Sequence, residues 1–353
     1  MTRKNITYTF VVSLVMLCIR VSVNAQIATD GSVRTNTAVP FLNISPDSRS
    51  GGMGDLGIAT SPDINSQAHN VSKYAFINSH GGVSLSYSPW LRNMSDDMNL
   101  TYLTGYAKIN ERQGLSASIR YFNWGDFKLT NENNISVGIE NPYEFATDLG
   151  YYMMLSNHIS GGVAIRYIRS SAGTTQENIY PGNAYSADIG FYYNSNKRNK
   201  KQDDNFSAGI NLANIGSRIS YDHGANKHFI PTTLGLGTNY SYNFRSMNQL
   251  NTGIEFNKLL IPRTDDNTDL LKEISISLGA EYEYNKQFAV RTGYFYESPE
   301  VGNKQYVTLG AGIAVGAFNL DFSYLIAITE NSPLANTLRF TLSFDFGSIK
   351  NRA

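Results

Sequence analysis

Polar and apolar residues alternate along most of the chain, and a period of two is the period of a β-strand. In the stretch 273–284, apolar residues occupy every second position, while serine, glycine and glutamate occupy the positions between them. The stretch 338–347 repeats this arrangement. Beyond residue 25, no apolar run approaches the roughly 18 residues that a spanning helix needs. The chain is therefore expected to form strands with one apolar and one polar face.

The alternation predicts about fourteen strands. They lie near residues 81–90, 97–109, 113–129, 143–156, 158–170, 183–195, 203–213, 230–243, 247–260, 273–285, 286–297, 304–316, 317–329 and 335–347. Soluble β-sandwiches also alternate, but ordinary strands average about 5–6 residues. Strands of about 11–13 residues instead suit a tilted membrane crossing. The even number fits a transmembrane antiparallel β-barrel, an all-β fold.

Isolated charges interrupt the polar faces in mid-strand, where lipid contact would cost several kcal/mol for each. We expect them to face a hydrated or plugged lumen, with positive and negative side chains paired. Tyrosines near the strand ends suit the aromatic girdles of a membrane barrel. The charges are Arg120, Arg166, Arg291, Arg339, Asp148, Asp188, Glu255, Glu281, Asp321 and Asp345, and the tyrosines include Tyr240, Tyr242, Tyr282, Tyr284, Tyr294 and Tyr296.

The first residues have the layout of a secretory signal peptide. Arg3 and Lys4 precede an apolar core, and a compact Val23-Asn24-Ala25 precedes the expected cleavage. The predicted organisation is a signal peptide at 1–25, an N-terminal plug or strap at 26–78, a barrel at 79–347 and a tail at 348–353. The single cysteine, Cys18, lies in the signal, so the mature chain is expected to hold no disulfide.

Composition excludes a nucleic-acid footprint, which requires a basic excess. Lysine plus arginine and aspartate plus glutamate number 29 each, and charged residues make up only 16%. The chain instead holds 23 tyrosines and 30 glycines. We therefore expect a membrane barrel, with no nucleic-acid partner.

Short connections at 156–158, 285–286 and 316–317 are expected to be periplasmic turns. Longer polar connections near 130–142, 171–182, 214–229 and 261–272 are expected to be extracellular loops. Lys197-Arg198-Asn199-Lys200-Lys201 could contact anionic lipid or lipopolysaccharide, although a solvated hairpin tip is at least as plausible.

Motifs that could carry chemistry have simpler explanations. The glycines at 52, 54 and 57 match a dinucleotide pattern, but no strand precedes them, and tight packing in a plug explains them better. The acidic stretch 265–269 could hold Ca²⁺, but a solvated loop is more plausible. A barrel hydrolase could combine Asp222 with His223 or His228, yet the other histidines (His69, His80 and His158) show no metal-ligand spacing. We predict a protein that is not an enzyme, with no catalytic residues, no cofactor and no metal.

Five stretches carry a family likeness, namely residues 38–42, 46–55, 61–63, 141–149 and 164–170, and the run 46–55 is its most specific part. In these stretches the chain resembles the PorV family of outer-membrane proteins of the type IX secretion system of Bacteroidota, within the wider group of FadL-like barrels. The family usually has Trp-Asn-Pro before the first strand, where this chain has His69-Asn70-Val71. This difference would be expected of a divergent paralogue.

The resemblance implies an adaptor rather than a channel. Such proteins bind the C-terminal signal domains of secreted cargo as it leaves a SprA-like translocon, and pass it to a PorU-like sortase or attachment complex. The extracellular loops would then bind cargo, with β-augmentation as one possible mode. Two alternatives stay open: a FadL-like channel for fatty acids or other hydrophobic compounds, and a lipid A-modifying barrel enzyme. The polar inward faces favour the adaptor, because a hydrophobic-ligand channel needs an apolar pocket.

Overall fold

The computed structural model describes residues 37–90, 97–130, 133, 136–173, 179–196, 204–244, 247–261, 274–298, 302–329, 332 and 334–347. The predicted signal peptide and C-terminal tail lie outside these residues. So do the loop 262–273 and the basic stretch 197–201.

Fourteen antiparallel strands form a closed barrel, which confirms the predicted fold class. The last strand pairs with the first, with Leu85 opposite Leu342. The strands in the wall are β1 (Gly81–Pro89), β2 (Asn99–Asn110), β3 (Gln113–Asn123), β6 (Tyr143–Met154), β7 (Ile159–Ser171), β8 (Gly182–Asn194), β9 (Asp204–Gly216), β10 (Thr232–Phe244), β11 (Asn248–Ile261), β12 (Ile274–Tyr284), β13 (Phe288–Tyr296), β14 (Gln305–Val315), β15 (Phe318–Ala327) and β16 (Thr337–Asp345).

The prediction of one strand over 113–129 is wrong beyond Asn123. Gly125 has a positive φ of 80°, and the Asp97 carboxylate accepts a hydrogen bond from the Asp126 amide at 2.8 Å. The chain turns there and leaves the barrel wall. It forms a separate two-stranded hairpin, β4 (Phe127–Thr130) and β5 (Ser136–Glu140), inside what the sequence predicted to be a strand end and a loop.

The wall has an apolar exterior and a polar interior. Leu149 and Ile165 are each 62% exposed on the outside, whereas Ser86 and Glu281 are fully buried. Outward-facing leucine, isoleucine, valine and phenylalanine recur on every side of the barrel, an arrangement that suits lipid rather than water. Exposed tyrosines lie towards both ends, with Tyr240 and Tyr282 at one end and Tyr185 at the other.

The two ends of the barrel differ in their connections. At one end, five of the six connections have 2–4 residues, and the sixth is 195–203. At the other end, the connections have 8–19 residues. The turns predicted at 156–158, 285–286 and 316–317 all lie at the first end, as expected. Among the residues that the structure describes, no helix is both long and apolar enough to cross a membrane.

The N-terminal segment, residues 37–78, lies within the barrel. It forms one α-helical turn, α1 (Ser48–Gly51), and three 3-10 helices at Pro40–Asn43, Ile64–Ala68 and Val71–Phe76. Between them, these elements and the connections contact inward-facing residues of all fourteen wall strands. The polar lumen predicted from the alternation is therefore filled by this segment along part of its length.

We predict that charge on the outer face is costly in proportion to its depth in the membrane. Leu309 lies in the middle of β14 and is 48% exposed, while Val315 ends the strand and is 69% exposed. Leu309→Arg should lower the free energy of unfolding in lipid vesicles by about 2–4 kcal/mol, and Val315→Arg by about 0–1 kcal/mol. Urea titrations of folding into vesicles measure both. Equal costs at the two positions would contradict a lipid-facing exterior.

Candidate functional site

Helix α1 begins with a cap buried inside the barrel. The carboxylate of Asp47 accepts a hydrogen bond from the Ser50 amide at 2.9 Å and from the Ser50 hydroxyl at 2.6 Å. Its Oδ1 also lies 2.9 Å from Nε2 of His69. Burial alone would raise the pKa of Asp47, but the hydrogen bonds and the charge of His69 outweigh it and hold that pKa well below its usual range.

Arg49 joins the segment to the barrel wall through a carboxylate that it shares with a wall arginine. Its guanidinium donates to both oxygens of Glu281, at 3.0 and 2.7 Å. Glu281 also accepts from Arg291 at 2.6 Å, and Arg291 continues to Asp321 at 2.6 Å. Arg49 further pairs with Asp63 at 2.8 Å. Within this network, the buried charges have opposite-charge partners, as buried ions require.

Gly54 and Asp55 hold the segment against the same side of the wall, on strands β12 to β14 and β16. Gly54 has a positive φ of 71°, and a Cβ there would lie 2.8 Å from the backbone of Tyr294. The Asp55 carboxylate accepts from Arg339 at 2.8 Å and from the Tyr306 hydroxyl at 2.5 Å. The glycines that weakly resembled a nucleotide motif therefore serve close backbone packing.

Two wall residues bind the backbone of the segment directly. The Glu255 carboxylate accepts from the amides of Gly57 and Ile58 at 2.9 and 2.8 Å. Arg120 donates to the carbonyl of Leu42 at 2.8 Å, and also to the carbonyl of Phe41. These contacts give polar partners to two mid-strand charges, and the Arg120 guanidinium also lies 5.3 Å from the ring of Tyr102 on β2. The expectation of charge pairing was therefore correct for Arg166 and Arg291, whereas Arg120 pairs with carbonyl dipoles.

His69-Asn70-Val71, the departure from the resembled family, is part of this packing. The Asn70 side chain caps the next 3-10 helix through the Ser72 amide at 3.1 Å, and donates to the Phe191 carbonyl of β8 at 3.1 Å. The asparagine thus keeps a structural role. His69 stands where the resembled family usually has tryptophan, and it makes the contact to Asp47 described above.

The segment divides the lumen into two cavities that share no lining residue. A cavity of about 290 Å³ opens at the end with long connections, and is lined by residues such as Trp90, Arg166 and Lys258. A second cavity, of about 550 Å³, opens at the short-turn end near Asp63, Glu283 and others. Both linings mix charged and amide side chains with apolar ones, whereas a site for a hydrophobic ligand is predominantly apolar.

A third cavity lies outside the lumen, on the rim formed by the long connections. This rim cleft has a volume of about 470 Å³, and its lining includes Trp124, Phe127, Pro142, Glu144, Ser170 and Tyr221. Nearby apolar side chains are open to solvent: Phe127 is 47% exposed and Ile139 is 60% exposed. The sequence did not single out this site, because the β4–β5 hairpin and the loop around Tyr221 meet only in three dimensions.

The residues considered for chemistry have other partners. Asp222 accepts from Ser220 at 2.7 Å and from Asn226, which lowers its pKa to about 2. The ring of His223 lies 3.8 Å from that of Tyr180, and His228 pairs through its backbone with Ile219. These side chains do not form a Ser–His–Asp arrangement. Across the described ranges, no group of three His, Cys, Asp or Glu residues could hold a metal. The acidic stretch 265–269 lies outside those ranges.

We predict that Glu281 anchors the segment. Glu281→Gln leaves Arg49 and Arg291 without their shared carboxylate, and should cost about 3–5 kcal/mol of unfolding free energy. The matched change is Glu297→Gln, whose partner Lys304 is 49% exposed and which should cost at most about 1 kcal/mol. Urea unfolding and protease cleavage of the segment report both. A loss as small as that of the control would contradict the anchoring role.

We predict that the helix cap formed by Asp47 loses its stabilising effect in acid. The folded carboxyl of Asp47 has a lower pKa than the unfolded carboxyl, whose value is near 3.8. Its stabilisation is therefore complete above that value and declines as pH falls towards the folded pKa. Hydrogen exchange at the Ser50 amide, followed from pH 7 to pH 2 and corrected for intrinsic rates, should lose protection below about pH 4. Asp47→Asn should weaken protection at neutral pH and remove the acid-dependent step. An unchanged acid step in this variant would contradict the assignment.

Known proteins were compared with this chain. No curated protein matches it. The toluene transporter TbuX of Ralstonia pickettii has a similar structure, with a TM-score of 0.51 and 11% identity over 86% of this chain and 98% of that chain. The Pseudomonas putida toluene transporter TodX has a TM-score of 0.51 and 11% identity over 83% of this chain and 95% of that chain. The monoaromatic hydrocarbon channel CymD has a TM-score of 0.52 and 11% identity over 85% of this chain and 97% of that chain. At this identity, the likeness establishes the barrel fold alone.

The sequence comparison is more specific. Residues 27–266 match the model of a family described as type IX secretion system protein PorV. The matched range includes the run 46–55, whose residues hold α1 and Asp55 against the wall. The closed barrel and the family together support a location in the outer membrane. Since the match covers more than half of the chain, this protein belongs to the PorV family of the type IX secretion system.

Proposed function

We propose that this protein is a cargo adaptor. It binds the C-terminal signal domains of secreted proteins on its extracellular rim, as they leave a SprA-like translocon, and passes them to a PorU-like attachment complex. Family membership supports a role in type IX secretion. The adaptor role rests chiefly on one observation: the lumen is occupied while the rim offers an apolar cleft.

The N-terminal segment acts as a plug in this proposal. Its ties to the wall are buried ion pairs and backbone hydrogen bonds, such as Arg49 to Glu281 and Gly57 to Glu255. Moving the segment would leave these buried charges without partners, at a cost of several kcal/mol. A plug held in this way leaves secreted proteins no path through the lumen, so the rim is the working surface.

The rim is suited to protein binding. Exposed apolar residues set among polar loops are typical of interaction surfaces, and the β4–β5 hairpin projects such residues from the wall. Of the predicted cargo-binding loops, 214–229 is described in full and 130–142 and 171–182 in part, and all three contribute to the rim cleft or its surroundings. The loop 261–272 lies almost wholly outside the described residues. The apolar exterior supplies the contacts with outer-membrane lipid.

The rival proposal is a channel for hydrophobic compounds, as in the toluene transporters that share the fold. Its ligand would need an apolar path through the barrel. Both lumen cavities carry charged and amide groups among their apolar residues, and the N-terminal segment separates them, which supports the adaptor.

We predict that the hairpin is needed for cargo capture. Replacing residues 127–140 by a short glycine-serine turn should leave the barrel folded, because the hairpin pairs only with itself among the described strands. Tagged protein from native outer membranes should then recover several-fold less signal-domain cargo. A matched deletion within 197–203, at the opposite end of the barrel, should leave recovery unchanged.

The same strains separate the two functions. Normal cargo recovery without the hairpin would contradict the rim as the binding surface. Failure of the unaltered protein to recover any signal-domain cargo, together with loss of hydrocarbon or fatty-acid uptake when the gene is deleted, would contradict the adaptor proposal itself.

A further inference from the structure

The rim cleft contains a buried carboxylate with an unused oxygen. Glu144 lies at the beginning of β6 and is only 4% exposed. Its Oε1 accepts from the Ser170 hydroxyl at 3.2 Å, and Ser170 in turn accepts from the Tyr221 hydroxyl at 3.0 Å. Among the described residues, its Oε2 has no hydrogen-bond partner. A buried acceptor left in this state costs free energy, so it calls for an explanation.

Glu144 also has no ion-pair partner among the residues that the structure describes. Residues 131–135 and 171–178 contain no lysine or arginine. In the connection that carries Tyr221, Arg218 lies over the ring of Phe229 at 3.9 Å and Lys227 is exposed. The nearest basic residue in the hairpin, Lys128, is exposed on β4. The carboxylate is therefore available to a cation from outside this part of the chain.

The walls around Glu144 are apolar and aromatic. The Trp124 side chain lies within hydrogen-bonding reach of the carboxyl group. Phe127, Leu129, Pro142 and Tyr221 also line the cleft, together with a second carboxylate, Glu140. Such walls suit the aliphatic stem of a long side chain, while aromatic faces also attract a cation. A cleft with the buried Glu144 and a second carboxylate in its lining therefore matches a side chain with an apolar stem and a charged head.

Two of the three connections around the cleft are acidic, whereas the third, 217–231, carries Arg218 and Lys227 against one aspartate. The connections 124–144 and 171–182 carry five acidic residues and a single lysine. The acidic residues are Asp126, Glu132, Glu140, Glu144 and Glu177. A surface of this kind attracts a basic partner and speeds its association.

We propose that the rim cleft is a socket for one arginine or lysine side chain on the surface of a protein partner. The stem lies across Trp124 and Tyr221, and the cationic head donates to the free oxygen of Glu144. This inference rests on the proposed function in one respect, because it takes the partner to be the cargo signal domain. The chemistry of the socket itself can be tested without cargo.

The first experiment uses a small probe and the full-length protein in detergent. The chain has two tryptophans, Trp90 and Trp124, so Trp90→Phe leaves Trp124 as the single reporter in the cleft. Titration with N-acetyl-arginine amide should change its fluorescence saturably. N-acetyl-citrulline amide, a neutral molecule of nearly the same shape, should bind about tenfold or more weakly, because it makes no charge-assisted hydrogen bond.

Matched variants assign the effect to Glu144. Glu144→Gln should weaken arginine-amide binding about tenfold or more. Asp126→Asn removes the same charge from an exposed position outside the cleft lining, and should change binding less than about twofold, as expected of a screened surface charge. Equal binding of the two probes, or an unchanged affinity of Glu144→Gln, would overturn the socket.

The chain's own Arg34 is the rival occupant. It lies outside the described residues, four positions before Ala38, whose amide donates to Phe229 in the loop that also carries Tyr221. If Arg34 filled the cleft, the probe would bind only after Arg34→Gln. That result would overturn the assignment to a partner.

A second experiment tests the cargo. A recombinant C-terminal signal domain should bind the unaltered protein and Asp126→Asn equally, and bind Glu144→Gln about tenfold or more weakly. Probe binding without any binding of signal domains would contradict the adaptor function and the identity of the partner, while leaving the socket chemistry intact. If the signal domain binds Glu144→Gln as tightly as the unaltered protein, the socket is overturned, while the proposed adaptor function is not contradicted.

Discussion

The contact between Arg49 and Glu281 is the interaction on which the interior of this barrel depends. Glu281 has no exposed surface and sits between two arginines, one from the N-terminal segment and one from the wall. Without Arg49, the wall would keep a buried cluster with too little positive charge. Without Glu281, two guanidinium groups would share a dry interior. The segment and the wall therefore complete one another electrostatically, in a lumen whose strands alone present unmatched charges.

The remaining contacts follow from this arrangement. Asp47 starts the short helix that carries Arg49, and Asp55, which follows that helix, binds Arg339. Glu255 then binds the backbone where the chain continues. The run 46–55 is the most specific part of the family resemblance, and its polar residues mostly bind the wall or cap the helix. Its motif is explained by packing inside a barrel, without catalysis or nucleotide binding.

The alternation of polar and apolar residues was enough to predict the barrel. Successive side chains of a wall strand point alternately to lipid and to the polar interior, so every wall strand has a period of two. All fourteen strands were placed correctly, apart from the end of 113–129, where Gly125 and the Asp97 carboxylate turn the chain away. The mid-strand charges were recognised as inward-facing, but their partners could not be read from sequence. Arg49 and Glu281 are 232 residues apart. The rim cleft was missed for a similar reason, since Trp124, Glu144 and Tyr221 meet only when distant connections fold together.

The proposed function requires the N-terminal segment to stay inside the barrel while the rim binds and releases cargo. A disulfide between Ser48→Cys and Thr341→Cys tests it most directly, because the two hydroxyl oxygens lie 3.1 Å apart and the only natural cysteine is Cys18. The bond would lock α1 to β16. Secretion and cargo capture in cells should be equal in the oxidised and reduced states of this variant. Loss of secretion on oxidation, restored by reduction, would contradict the account, because the segment would then have to move.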